Sequence, residues 1–196
     1  MDVVKTMVKA VIAIGLIGIW PGPQIFLRVA GRAPSVRPPL PGTMSTTTGP
    51  GWFQQVKPSC NPVEVDVRIA RTPAPDSFEG RAHEAACYAL AGRIERARAI
   101  LSALPESQRW KAAGITFDVA HHVADAGDDS SAGPIMELVL EFWPNHYMAL
   151  YHAGAARYAA GANDEARGHL ERFLSEYHAE DGWRRNAHVM LDRMGG

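Results

Sequence analysis

The sequence predicts an all-α protein built as a short array of helix hairpins, and three observations lead to this fold class. Small residues recur at a constant spacing between residues 78 and 180, alanine-rich helical patterns fill that region, and one more apolar helical stripe follows it. We expect three hairpins plus a C-terminal capping helix, preceded by an N-terminal transmembrane helix and an extended Pro-rich linker. The boundaries are 1–32 for the anchor, 33–77 for the linker with an extended segment, and 78–196 for the helical domain.

The first element is an apolar run at residues 7–27, which contains only two polar side chains. As a helix it would measure about 31 Å, roughly the thickness of a bilayer's hydrocarbon core. Trp20 stands where an interfacial aromatic would hold the helix, and Ile25 and Phe26 belong to the same anchor. The residues after the run are bulky and interrupted by proline, unlike a signal-peptidase site. We therefore expect an uncleaved single-pass anchor, with a cleaved signal peptide or an apolar helix docked on a protein as the alternatives.

The second element is a linker that leads into an extended segment. Residues 33–51 are rich in Pro, Gly, Ser and Thr and lack periodic apolar positions, which is typical of an extended tether. In residues 63–69, valine or isoleucine then alternates with charged side chains. This period of two predicts an extended strand, lying across a helical surface or pairing with another protein.

Cys60 and Cys87 are the only cysteines in the chain. An even pair is what an exported domain with one disulfide would carry, whereas the alternative is two unrelated buried thiols in a cytosolic domain. Lys5 and Lys9 precede the uncharged core of the run, and Arg28, Arg32 and Arg37 follow the run, a count that weakly favours a cytoplasmic carboxyl side. Weighing the cysteines more heavily, we expect a disulfide and place the helical domain on the periplasmic or extracytoplasmic side of the membrane.

The third element is a repeat in which a small residue, a glycine and an alanine recur at offsets of seven and five. The three sets are Ala85, Gly92 and Ala97; Ala120, Gly127 and Ala132; and Gly154, Gly161 and Ala166. In each unit, the glycine is predicted to end the first helix in the left-handed conformation. The second helix is then predicted to begin near Ile94, Asp129 or Asp164, with Pro134 accommodated in a first helical turn.

A final helical stripe is predicted after the last repeat. Trp183, Ala187, Met190, Leu191 and Met194 fall on one helix face. A repeat array needs such a helix to cover its last apolar face.

The spacing of 34 to 35 residues and the small-residue, glycine and alanine signature resemble the tetratricopeptide repeat (TPR) family. The resemblance covers repeats at about 78–112, 113–146 and 147–180, with the cap at 181–194. It implies a concave, protein-binding groove lined by the first helix of each pair. Carried over position by position, it places in the groove Phe117, His121, Asp125, Met148, Tyr151 and Tyr158.

Two alternatives stay open for these groove residues. The aromatic side chains could simply be core, or they could form an anchoring surface for an apolar segment. That segment could come from a partner or from this chain's own residues 52–75. The Lys, Arg and Asn clamp with which some relatives hold acidic carboxyl-terminal tails does not occur at the groove positions.

Charge and motifs argue against several other function classes. A formal net charge of −1 is unlike a protein that binds nucleic acid by neutralising phosphates. His83, Glu84 and Cys87 resemble the zincin H-E-x-x-H helix, but no third ligand is identifiable, and the other histidines lack partners at ligand spacing. The sequence predicts no catalytic residues, no metal, no cofactor and no small-molecule substrate.

The combination of an anchor with a binding domain predicts a non-enzymatic subunit that assembles or stabilises a larger membrane complex. Secretion, respiratory and photosynthetic complexes are all eligible. Its partners would be protein subunits of that complex and, through the N-terminal helix, membrane lipid. The alternative is a cleaved, soluble exported adaptor or periplasmic chaperone that binds peptides in its groove.

Overall fold

The computed structural model describes residues 48–195, and this part of the chain forms nine α-helices and no strand, which confirms the all-α class there. The helices are α1 (Gly49–Val56), α2 (Val65–Arg71), α3 (Phe78–Leu90), α4 (Ile94–Ala103), α5 (Glu106–Asp125), α6 (Asp129–Phe142), α7 (Tyr147–Ala159), α8 (Asn163–Glu176) and α9 (Gly182–Gly195). The predicted anchor residues Trp20, Ile25 and Phe26 lie outside the described residues. From residue 48 to residue 195, no helix is both long and apolar enough to cross a bilayer.

Helices α3 to α8 form three consecutive pairs, each joined by a glycine in the left-handed region. Gly92, Gly127 and Gly161 have φ values of 71°, 87° and 74°. After each glycine, the next N–H donates to a carbonyl five residues back, namely Arg93 to Tyr88, Asp128 to Val123 and Ala162 to Arg157. This 6→1 hydrogen bond is the usual end of a helix that stops at glycine. The predicted glycine turns and second-helix starts are confirmed.

Small residues let neighbouring helices approach closely. Ala85, Ala120 and Ala132 are fully buried. A Cβ atom built on Gly133 of α6 would lie 2.5 Å from the Cβ atom of Ala156 in α7. Larger side chains fill the remaining core, including Leu101, Met136, Leu138, Leu150, Leu170 and Phe173.

The extended conformation predicted for residues 63–69 is wrong, because Val65–Arg71 form helix α2. Val65 and Ile69 are 0% and 7% exposed, whereas Val63 and Val67 are 86% and 53% exposed. Residues four apart share a face of a helix, so α2 buries Val65 and Ile69 together and leaves Val67 in solvent, while Val63 is exposed in the turn before the helix. A strand would have placed all four on one face.

Pro134 also differs from its predicted place. It is the sixth residue of α6 and so lies beyond the first helical turn. A proline at this depth has no N–H to donate to the carbonyl four residues earlier, which belongs to Ser130.

Helices α1 and α2 extend the core ahead of the first pair. Trp52, Phe53 and Val56 of α1 are at most 3% exposed, and α1 packs against α3. Cys60 and Cys87 lie at disulfide distance and are bonded, with their Cα atoms 4.9 Å apart. The predicted cysteine pair therefore joins the segment between α1 and α2 to the last turn of α3.

Helix α9 covers the other end of the array. Its Ala187 is fully buried, and Trp183, Met190, Leu191 and Met194 pack in part against the core. The apolar stripe predicted for this helix is confirmed.

Candidate functional site

Three of the predicted groove residues lie along one face of α5. The Phe117 ring stacks on the His121 ring at 4.7 Å and lies 4.1 Å from the ring of His146, centroid to centroid. Asp125 follows one turn after His121 and is 41% exposed, whereas Phe117 is 7% exposed. This face is therefore packed at Phe117 and open at Asp125.

The other three predicted groove residues lie on α7 in different surroundings. Met148 and Tyr158 are half-buried. Tyr151 is 7% exposed, and its ring centroid lies 5.2 Å from that of Phe173 and 4.9 Å from that of Trp183. Helices α8 and α9 therefore cover Tyr151.

The chain's own residues 52–75 pack at the amino-terminal end of the array. Phe53 of α1 lies 5.3 Å from the ring of His83 on α3, and the indole N–H of Trp52 donates to the carbonyl of Thr72 at 2.8 Å. Residues 52–75 are therefore part of the folded core next to α3.

A row of aromatic side chains runs along one end of the hairpins, and we call it the aromatic edge. Its members are Trp110, Trp143, His146, Tyr147 and Tyr177. The ring centroids of successive members lie 5.4, 4.5, 6.1 and 5.2 Å apart. Trp110 is 45% exposed and Tyr147 is 44% exposed, so two large rings of this row face solvent. The members of the aromatic edge lie at the starts of α5 and α7 and at the ends of α6 and α8. Because they are far apart in the sequence, no single stretch of sequence contains them all.

A second group, the histidine cluster, lies between α5, α6 and α7 and consists of His121, Asp125, Asp129 and His152. One Asp125 carboxylate oxygen is 3.3 Å from Nε2 of His121 and 3.9 Å from Nε2 of His152. On the far side of the His152 ring, Nδ1 is 3.2 Å from a carboxylate oxygen of Asp129. The His152 side chain is 2% exposed, so α7 holds an imidazole inside the core with carboxylates on both sides.

The surroundings of His121 favour its uncharged imidazole. Burial lowers the pKa of His121, and the nearby Asp125 carboxylate opposes that shift only in part. The Nε2 atoms of His121 and His152 are both buried and make no hydrogen bond, because the approaches to Asp125 lack hydrogen-bond geometry. Two buried ring nitrogens without a hydrogen-bond partner therefore lie beside one carboxylate.

The zincin-like motif on α3 has a different role. Cys87 is bonded to Cys60, so it offers no thiolate. The Nδ1 atom of His83 is 2.7 Å from the carbonyl oxygen of Glu79, one turn earlier on the same helix. Cys87 is therefore part of the disulfide, and His83 is part of the surface of α3.

Neither the aromatic edge nor the histidine cluster is predicted by the sequence. The spacing of four between His121 and Asp125 is visible in the sequence, but His152 belongs to another hairpin. Comparisons of the chain with protein-family models, with curated proteins and with solved structures give no match.

Proposed function

We propose that this chain is a non-enzymatic repeat protein of the tetratricopeptide type that binds a protein partner through its aromatic edge. Anchored by its apolar N-terminal run, it assembles or stabilises a larger membrane complex. The observation that carries the proposal is the exposure of Trp110 and Tyr147, at 45% and 44%, in a continuous row of rings. Tryptophan and tyrosine are enriched at the centres of protein interfaces, where single residues contribute most of the binding energy.

The rigidity of the aromatic edge supports the same role. Each ring is held by a neighbour, and the aromatic edge is continuous with the core through Tyr177, whose ring stacks on Phe173 at 5.0 Å. Trp143 packs over Gly114 of α5, where a Cβ atom would lie 3.3 Å from the indole. Side chains that are already fixed lose little conformational entropy when a partner binds.

The repeat-type assignment is supported by the helix pairs. Their turns share the same left-handed glycine and the same 6→1 hydrogen bond at Gly92, Gly127 and Gly161. Arrays of this kind stack supersecondary units whose faces are completed by their neighbours, and they serve as extended binding surfaces.

The location outside the cytoplasm is supported by the bonded cysteine pair. Disulfides persist in oxidising compartments, whereas thiols in the cytosol are kept reduced. The apolar run at residues 7–27 supports membrane attachment, because it is long enough to span a bilayer and Lys9 is its only charged residue.

The test replaces the two exposed rings together, as Trp110→Ala with Tyr147→Ala, in the full chain. Val189→Ala is the control, because Val189 is 45% exposed on α9, a helix that contributes no member to the aromatic edge. Membranes from the native host are extracted in mild detergent, and the size of the particle that contains the chain is measured together with the subunits that co-purify. The wild type and the control should migrate in one large complex, and the double variant should migrate alone. Retention of the complex by the double variant, or a wild type that migrates as a free monomer, would overturn the proposal.

The disulfide fits the soluble exported adaptor equally well, so one measurement has to separate the two. Mass spectrometry of the mature amino terminus does this. A start beyond about residue 30 favours the soluble adaptor, and an intact first segment favours the anchored subunit.

A further inference from the structure

The histidine cluster contains donor atoms that a divalent metal ion would join. We propose that His121, Asp125 and His152 bind one divalent first-row transition-metal ion of the zinc type, which links α5 to α7. The inference is independent of the aromatic edge, because none of these residues belongs to it.

The distances already approach those of a coordination sphere. One ligand atom from each of the three residues lies within 4.8 Å of the other two, and the Asp125 oxygen is the closest to both nitrogens. Ligand atoms around tetrahedral zinc, with bonds near 2.0–2.1 Å, are separated by about 3.3 Å. The His121–Asp125 separation of 3.3 Å meets that value, and the His152–Asp125 separation of 3.9 Å is 0.6 Å longer.

The unpartnered nitrogens are the second observation. The Nε2 atoms of His121 and His152 are buried and lack any hydrogen-bond partner, although buried polar atoms are nearly always satisfied. A metal ion shared with Asp125 would satisfy both atoms at once.

Asp129 prepares His152 for this role. Its carboxylate oxygen lies 3.2 Å from Nδ1 of His152, and because a carboxylate only accepts, the proton sits on Nδ1. The Nε2 lone pair is therefore left facing Asp125. A carboxylate behind a ligating histidine is the common arrangement in metal sites, where it fixes the ring and raises its basicity.

The ligand set selects the metal class. Two imidazole nitrogens and one carboxylate oxygen suit Zn²⁺, Co²⁺, Ni²⁺ or Fe²⁺, whereas Ca²⁺ and Mg²⁺ prefer spheres made of oxygen alone. Asp125 is 41% exposed, so the fourth position opens toward solvent, where water or a partner's side chain can complete the sphere. The ring of Trp183 lies 5.6 Å from that of His152, and Phe117 stacks on His121, so apolar rings flank both imidazoles.

The first experiment uses the untagged full chain in detergent, treated with chelator and dialysed. Isothermal titration with Zn²⁺ should give one site per chain with a Kd of micromolar or tighter, and Ca²⁺ and Mg²⁺ should give no comparable heat. Co²⁺ should produce the strong visible absorption of a four-coordinate ion. Zinc should also raise the Tm by several degrees, and chelator should reverse the rise. A wild type that binds Zn²⁺ with a Kd weaker than about 1 mM, or no better than Mg²⁺, would overturn the proposal.

Variants then assign the ligands. His152→Ala and Asp125→Asn should each weaken zinc binding at least 100-fold, and Asp129→Asn should weaken it by about 10- to 100-fold because it only positions His152. His122→Ala is the matched control, since His122 is the exposed neighbour of His121 on the same helix and should bind zinc as the wild type does. If His152→Ala does not fold, Asp125→Asn gives the same test at a half-exposed position. If Asp125→Asn and His122→Ala bind zinc equally well, the metal site is refuted. If a variant loses zinc binding but still forms the partner complex, the proposed function is unaffected.

Discussion

Replacing Gly133 by alanine should force α6 away from α7. The added Cβ atom would lie 2.5 Å from the Cβ atom of Ala156, whereas two carbon atoms in contact prefer about 3.5–4.0 Å. The helices must therefore separate locally by about 1.0–1.5 Å. Overpacking of this kind typically costs about 1–3 kcal/mol.

The gain in helix propensity works against that cost. Alanine is favoured over glycine inside a helix by about 0.8–1.0 kcal/mol, so the net loss from Gly133→Ala is about 0–2 kcal/mol. Gly168→Ala isolates the propensity, because Gly168 lies inside α8 and a Cβ atom there has no neighbour within 4 Å. This control should stabilise the protein by about 0.8–1.0 kcal/mol. The two variants should then differ by about 1–3 kcal/mol, which is the steric cost alone.

Urea unfolding followed by far-UV circular dichroism measures both free energies of unfolding. Adding Ala156→Gly to Gly133→Ala removes the clashing methyl group, so the pair should show a favourable coupling energy of about 1–3 kcal/mol in a double-mutant cycle. If Gly133→Ala is as stable as Gly168→Ala, or the coupling is zero, the reasoning about the close contact between α6 and α7 fails.

Two further predictions concern the disulfide and the start of α9. Cys60→Ser should lower the free energy of unfolding by about 3–4 kcal/mol under oxidising conditions, because the bond closes a loop across a separation of 27 residues; equal urea midpoints for the oxidised and reduced wild type would contradict this. The Tyr177 hydroxyl donates a hydrogen bond to Asp181, and this is the main cause that lowers the pKa of the Asp181 carboxyl below the ordinary 3.8. Backbone N–H groups of α9 also donate to this carboxylate and lower its pKa further. This carboxylate therefore contributes stability above pH 3.8 that is lost as the pH falls through its lower folded pKa. Asp181→Asn should reduce the acid-induced drop in Tm, and an unchanged acid limb would argue against the contact.

The turns of the helix pairs could be predicted because their chemistry is local. A helix that ends in the left-handed region strongly favours glycine, so recurrent glycines with the right offsets mark the ends of α3, α5 and α7. The cysteine pairing followed from simple counting. Both predictions depend on residue type and spacing alone.

Helix α2 could not be predicted because its sequence satisfies two periods at once. Residues 63, 65, 67 and 69 alternate as in a strand, yet 65 and 69 are also one helical turn apart. Burial of that pair against the core decides in favour of the helix. Tertiary packing therefore decides between helix and strand here, and the local sequence does not contain that information.

The histidine cluster and the aromatic edge lay beyond sequence reasoning for a related reason. The His152 ring of α7 meets the His121 ring of α5 only because both helices pack against α6, and Trp110 meets Trp143 only because α6 returns along α5. The TPR resemblance gave a list of positions on first helices, but it did not show that α8 and α9 cover Tyr151.

The position of the disulfide determines how this domain responds to mechanical load. A force applied at residue 48 can separate α1 from α3 and unfold the chain as far as Cys60. This segment is about 40 Å long when fully extended. Beyond that point the covalent bond passes the load to Cys87, a buried residue in the last turn of α3, where unfolding requires disruption of the core. The residues between the two cysteines are shielded from the pull, so the array itself would stay folded while its tether is stretched.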